Sequence, residues 1–256
     1  MLEDEKPTIV LIPGAWHLGS TYEPVAELLR KQGYPAHTMT LLSAGGPTST
    51  TAVDDAEHIQ STLLNDLIAQ GKEVVLVLHS YSGVPGSICT RGLTRKDQIT
   101  EGKKGGVVAL VYVTAFMLRE GQSLDSFLGG MEKRNTIVFE EDKAIMTDPA
   151  ARFYNDLDEE TIAKCLALLQ YQAKPTMYSP LTYEAYRDVP ATYLLCENDR
   201  AIPLVKQQEM VDKAGEGIKI RICKAGHSPM LSMPQLVTDV IHKAASAARA
   251  TRSVLP

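Results

Sequence analysis

The chain has 256 residues, 44% of them hydrophobic, and a formal net charge of −5. That length and composition suit a large buried core, and one α/β domain carrying an insertion fits both. The acidic balance and the lack of Lys/Arg-rich runs argue against nucleic acid or an anionic membrane as partner, no apolar stretch reaches the roughly 20 residues that cross a bilayer, and the acidic start MLEDEKPT is unlike a secretory signal, so a cytoplasmic protein is expected.

Thr8-Ile9-Val10-Leu11-Ile12 is a continuous apolar, β-branched run between Pro7 and Pro13-Gly14, as in a strand covered on both faces. Tyr22 to Gln32 sets Val25, Leu28 and Leu29 at helical spacing and stops at Gly33. A strand near His37 to Leu42 leads into the loop SAGGPTSTT, and Ala52 to Ala69 reads as an amphipathic helix. VVLVLHS is a third strand, a helix opens behind it at Gly83, and the polar turn EGKKGG precedes a fourth strand, Val107 to Val113. Alternation at this spacing predicts βαβ units and a mostly parallel sheet. The rhythm breaks over residues 118–186, where helical stretches such as Glu159 to Leu169 lie among FLGG, TDPAARFYNDL and AKPTMYSPL. An inserted helical cap is expected there, on a core made of residues 1–117 and 187–256. Strand Ala191 to Cys196, a helix around Pro203 to Ala214, strand Ile218 to Cys223 and a closing helix from Pro234 complete the alternation.

The third strand runs into VVLVLHSYSG, with two serines two residues apart. A serine hydroxyl becomes a nucleophile when a base takes its proton, and the usual setting is a sharp strand-to-helix turn, G-x-S-x-G, with small flanking residues. Centred on Ser80 the pattern meets Leu78; centred on Ser82 it meets Val84, so spacing leaves the two tied. A buried strand followed by a serine helix cap would produce the same letters. Two downstream segments add weight, each just after an expected strand: CENDRAIP offers Asp199, and KAGHSP offers His227 in a flexible turn. The C-terminal ends of parallel strands open on one sheet edge, where His227 would take the serine proton and return it to the leaving group while Asp199 fixes the imidazole. Glu197 and Asp125 are the rival acids. His79 is locked beside Ser80, and His17, His37, His58 and His242 lack a strand-end setting with a partner acid. The turn Pro13-Gly14-Ala15-Trp16 would point backbone N–H groups toward the same space as the residue after the nucleophile, a place for an oxyanion.

Together IVLIPGAWH, VVLVLHSYSG, VYVTAFMLREG, YLLCENDRAIP and KAGHSPMLSMP resemble the α/β-hydrolase superfamily, and more closely its small esterase and hydroxynitrile-lyase group, which includes plant methyl-ester esterases. The resemblance spans nearly the whole chain. It implies Ser80 as nucleophile, Asp199 as acid, His227 as base, and the N–H groups of Ala15 and Tyr81 as the oxyanion hole, with Ser82 at a glycine position. Two residues depart from the family pattern: Leu78 stands where glycine is usual, and Pro13 replaces the histidine of an HGA-type turn. Hydroxynitrile lyases of this group carry a lysine after the histidine and a threonine in the first oxyanion loop; Ser228 and Gly14 stand there and point to the esterase side.

Gly14, Trp16, Phe116 and Tyr154 are expected to contact substrate, with Tyr81, Phe153, Leu168, Tyr171 and Met177 adding to an apolar, aromatic pocket for a small or medium hydrophobic ester or lactone. No metal-ligand spacing and no phosphate loop is present, so no cofactor is implied, and the scattered Cys89, Cys165, Cys196 and Cys223 read as buried thiols. Oligomeric state is not legible, and a homodimer is compatible with the chain. The leading expectation is a serine esterase or lactonase working through an acyl-enzyme. A lyase, isomerase or cyclase using His227 as base, or a binding protein with little turnover, are the alternatives.

Overall fold

The computed structural model describes residues 5–252. The first apolar run forms β1 (Thr8–Ile12), with all five residues buried. The helix Glu23–Lys31 follows, and β2 (Ala36–Thr38) pairs with β1 in parallel. The amphipathic stretch after it is helical from Ala52 to Ile59, loosens into a π-type turn over Gln60–Leu64, and returns to α-helix over Asn65–Ala69. Thr51 and Asp54 start it with a reciprocal capping box. Next come β3 (Glu73–His79), the helix Gly83–Ile88 and β4 (Gly106–Val113), whose eight residues are all buried. A further helix, Arg95–Thr100, precedes β4 and carries no expectation from the sequence; its local signal is a second capping box, Thr94 with Asp97.

Residues 118–186 carry the expected helix at Glu159–Leu168, and two shorter ones, Leu124–Leu128 and Pro149–Phe153, fall in or against stretches expected to be loops, FLGG and TDPAARFYNDL. They also carry a three-stranded antiparallel sheet that was not expected: β5 (Ile137–Glu140), β6 (Lys143–Met146) and β7 (Gln172–Ala173), in that order. The β5–β6 hairpin turns at Glu141, whose φ of 52° lies in the left-handed region.

The main sheet then gains β8 (Ala191–Cys196) and β9 (Lys219–Cys223), giving the order β2-β1-β3-β4-β8-β9, parallel throughout. Because side chains alternate across a strand, β3 feeds two cores. Val74, Leu76 and Leu78 pack with Ala56 and Ile59, whereas Val75 and Val77 pack with Leu29, Val237 and Ile241. Each fully buried Val or Leu contributes roughly 1.5–3 kcal/mol, so both faces of the strand hold its end still. The helix Leu204–Ala214 covers the first face beside β8, and the long helix Pro234–Arg252 covers the second. Among the described residues no helix is long and apolar enough to cross a membrane.

Candidate active site

The loops after β1, β3, β4, β8 and β9 meet at one edge of the main sheet, as parallel strands dictate. At the end of β3, Ser80 has a φ of 54°, a conformation a non-glycine residue adopts only under constraint. Its carbonyl accepts the N–H of Phe116 at 2.9 Å, tying the turn to the loop after β4. The β1 loop lies equally close: a Cβ on Gly14 would sit 2.6 Å from the Ser80 Cβ, so only glycine lets the two loops touch.

The two serines have different surroundings. Ser80 Oγ lies 3.1 Å from His227 Nε2. The Ser82 hydroxyl accepts the His79 N–H at 2.8 Å and reaches the Ile12 carbonyl, also at 2.8 Å, so it braces the turn against β1. Leu78, the departure from the family pattern, is fully buried, and its Cδ2 would lie 2.2 Å from a Cβ built on Gly86 in the following helix. The missing side chain at position 86 makes room for the extra one at position 78.

Asp199 leaves the end of β8 buried, while its rival Glu197 is exposed and Asp125 accepts the Met131 N–H in another loop. One Asp199 oxygen accepts the N–H groups of Ala201 and Ile202 at 2.7 and 2.8 Å. The other accepts His227 Nδ1–H at 2.8 Å and the hydroxyl of Thr114. Thr114, at a φ of 38° just past β4, was missed from sequence; the one cue was a polar residue ending an apolar run. With Nδ1–H committed to Asp199, His227 Nε2 is left to accept the Ser80 proton.

His227 is only 1% exposed, so the swinging turn expected from sequence is instead fixed. The Gly226 N–H donates to Asp156 at 2.7 Å, and the Phe153 ring lies 5.4 Å from the imidazole. His79 braces it from below. Its Nε2–H donates to the His227 carbonyl at 2.8 Å while Nδ1 accepts the Gly14 N–H at 3.2 Å, so one ring ties the base loop to the β1 loop. Burial, reinforced by the neighbouring histidines, holds its pKa well below the usual imidazole range. His17, dismissed on sequence, is the second such brace. Its Nδ1–H donates to the Ala15 carbonyl at 2.7 Å and Nε2 accepts the Tyr154 hydroxyl at 2.8 Å, with burial lowering its pKa to about 4.

The β1 turn is committed on both sides of one residue. Gly14 N–H goes to His79, and Trp16 N–H goes to Gln172 Oε1 at 3.2 Å. Ala15 N–H has no partner among the described residues. Trp16, at a φ of 68°, also donates its indole N–H to the Ala144 carbonyl at 2.8 Å and accepts the Gln170 N–H at 2.9 Å. Tyr81 opens the helical turn after Ser80, where N–H groups have no acceptor one turn back. Its hydroxyl donates to Asp55 at 2.9 Å, and that carboxyl also takes both the N–H and the hydroxyl of Ser43, its pKa raised by burial.

Ser80 and His227 open on a narrow cavity, about 500 Å³ of empty space counted to its mouth, walled by Trp16, Tyr81, Phe116 and Phe153. Five pocket expectations need correction. Tyr154 points away to His17 and lines a separate outer groove, Leu168 is 51% exposed beside it, Met177 is core, and Tyr171 donates to the Gly46 carbonyl. Gly14 does not line the cavity either, being pressed behind Ser80. Two residues that sequence did not single out, Arg134 and Arg152, do line it.

A parallel sheet whose strand ends gather a serine at a strained turn, a histidine and a buried aspartate defines a class: the chain belongs to the alpha/beta hydrolase family, which it matches over residues 9–240. Among particular proteins, it is 34% identical over 248 residues to the alpha/beta hydrolase nvfD of Aspergillus novofumigatus, covering 95% of this chain and 98% of that one. It is 24% identical over 272 residues to methylesterase 1 of Arabidopsis thaliana, covering 95% and 97%. A crystal structure of a pyrethroid hydrolase from Sphingobium faniae superposes with a TM-score of 0.75 at 23% identity, covering 94% of this chain and 98% of that one. The esterase-like resemblance carried by the motifs agrees with these relatives.

Proposed function

We propose that the protein is a serine hydrolase that cleaves a carboxylic ester or lactone of a small to medium, largely apolar substrate through an acyl-enzyme on Ser80. The observation that carries this is the continuous hydrogen-bonded chain from Ser80 Oγ through His227 to Asp199, buried at a cavity wall. His227 Nε2 accepts the hydroxyl proton as Oγ attacks the carbonyl carbon, and Asp199 stabilises the imidazolium. The carbonyl oxygen, now an anion, lies toward the N–H groups of Ala15 and Tyr81. His227 then protonates the departing alkoxide oxygen, and a water repeats the cycle on the acyl-enzyme. His17 and His79 stay neutral beside it and so add no competing positive charge. In this reading residues 118–186 act as the cap on a core of 1–117 and 187–256. A cytoplasmic location is supported by four unbridged cysteines, including Cys196 and Cys223 with their sulfurs 3.7 Å apart.

The test is labelling with a fluorophosphonate probe, followed by hydrolysis of p-nitrophenyl esters. Wild type and Ser82→Ala should label; Ser80→Ala should not, and its kcat should fall by about 10⁴-fold or more. Equal labelling of Ser80→Ala overturns the assignment.

A further inference from the structure

The cavity beside Ser80 has an unexpected electrostatic character. Among the described residues, its wall is apolar or neutral except for His227 and two arginines, Arg134 and Arg152, and carries no carboxylate. Three arginines elsewhere do pair with acids: Arg30 with Glu23, Arg95 with Glu73, Arg187 with Glu184. Arg134 and Arg152 form no ion pair with any described residue. Arg134 reaches only the Leu128 carbonyl, at a long 3.4 Å. Arg152 has a buried Nε with no hydrogen-bond partner, and it directly precedes Phe153, whose ring lies against His227.

A guanidinium turned toward a mostly apolar space with a buried donor unmet is costly unless something fills its hydrogen bonds. One arginine with an unmet buried donor and a second held by a single long hydrogen bond, both lining the same cavity, make it a place for an anion. The planar fork of arginine matches the two oxygens of a carboxylate, and such charge-assisted pairs are stronger than neutral ones. We propose that the natural substrate is an ester that also carries a free carboxylate, held by Arg134 and Arg152 while the ester carbonyl meets Ser80. This rests on the serine-hydrolase reading and names the substrate class within it. Both arginines come from residues 118–186, outside the loops that carry Ser80, Asp199 and His227, so this segment sets the charge preference without altering the chemistry.

The test uses the full chain and three p-nitrophenyl esters with a matched spacer: a glutarate half-ester, a neutral pentanoate and a 4-phosphonobutanoate. The expected result is a kcat/KM for the glutarate half-ester at least about tenfold above that for pentanoate. That ratio should fall toward one in Arg134→Gln and in Arg152→Gln, with Arg→Lys at each site intermediate as a control that keeps the charge and the fold. A wild-type ratio of one or below, or variants that depress both esters equally, overturns the proposal. Preference for the phosphonate assigns the site to a phosphate-like anion and overturns the carboxylate. Calorimetry of glutarate binding to Ser80→Ala gives a second reading independent of catalysis. Binding there that vanishes on adding Arg152→Gln supports the anion site even if the probe fails to label Ser80, whereas probe labelling with no glutarate binding and no ester preference leaves the hydrolase reading standing and removes this one.

Discussion

Replacing Gly86 by alanine should destabilise the protein, although the same change in most helices stabilises it. A helix-interior Gly→Ala change gains about 1 kcal/mol from propensity alone. Here the new methyl would lie 2.2 Å from Leu78 Cδ2 and 2.9 Å from Cδ1, inside a core where Leu78 is fully buried between β3 and the helix Gly83–Ile88. Overpacking of that kind costs about 1–3 kcal/mol, so the net loss is up to about 2 kcal/mol, or a Tm lower by up to roughly 8 °C. Leu78→Ala alone should cost about 2–5 kcal/mol by opening a cavity. In that background the clash is gone, so adding Gly86→Ala should restore about 1 kcal/mol or more. The sign of one substitution thus depends on the other, a coupling of about 1–3 kcal/mol that urea unfolding of the four proteins measures. If Gly86→Ala raises stability with Leu78 in place, the size exchange between positions 78 and 86 is refuted.

Gly14→Ala puts a methyl 2.6 Å from the Ser80 Cβ, which displaces the turn bearing the Ala15 N–H; kcat should drop at least about 100-fold with circular dichroism unchanged, and a loss under about threefold would refute the contact. Thr114→Val removes a hydroxyl donor to Asp199, so kcat should fall about tenfold or more with KM little changed, and Thr114→Ser should recover most of it; equal loss in both variants contradicts the role. His17, with a pKa lowered to about 4 in the fold, binds its proton more readily when unfolded, so stability is lost as pH falls from about 6.5 toward 4, by about 3 kcal/mol from this group. His79 adds to the loss in the same direction, and Asp55, with a raised pKa, partly opposes it by losing stability as pH rises. His17→Phe should flatten the slope of unfolding free energy against pH by about one proton, and an unchanged slope would contradict its neutral state.

The main sheet was legible because most of its strands are covered on both faces and so read as unbroken apolar runs; β1, β3, β4 and β8 fall within a residue of where those runs lie, while the exposed edge strand β9, KIRIC, was found by its alternation and its place in the βα order. The hairpin β5–β6 was not, because only Ile137 and Ala144 of its eight residues are buried and the rest alternate with exposed or half-exposed positions. The order Ser, Asp, His at strand ends could be read directly, but the choice between Ser80 and Ser82 could not, since it turns on which residue takes the left-handed conformation and which hydroxyl the Ile12 carbonyl captures. His17 looked like a turn histidine because the groups that bury it, Phe153 and Tyr154, are 136 and 137 positions away in sequence. Tyr154 and Arg152 sit two apart on one short helical turn, and only the fold decides that the arginine and Phe153 between them face the cavity while the tyrosine turns outward.

Trp16 joins the turn beside Ser80 to the small antiparallel sheet through two hydrogen bonds, to Ala144 and Gln172, and a third ties it to Gln170 just before β7. The two layers therefore share a hinge pin. Lifting β6 or β7 would strain the Trp16 bonds to Ala144 and Gln172 and pull on the turn pressed against Ser80, so widening the cavity on that side and keeping the Ser80 turn in place oppose each other.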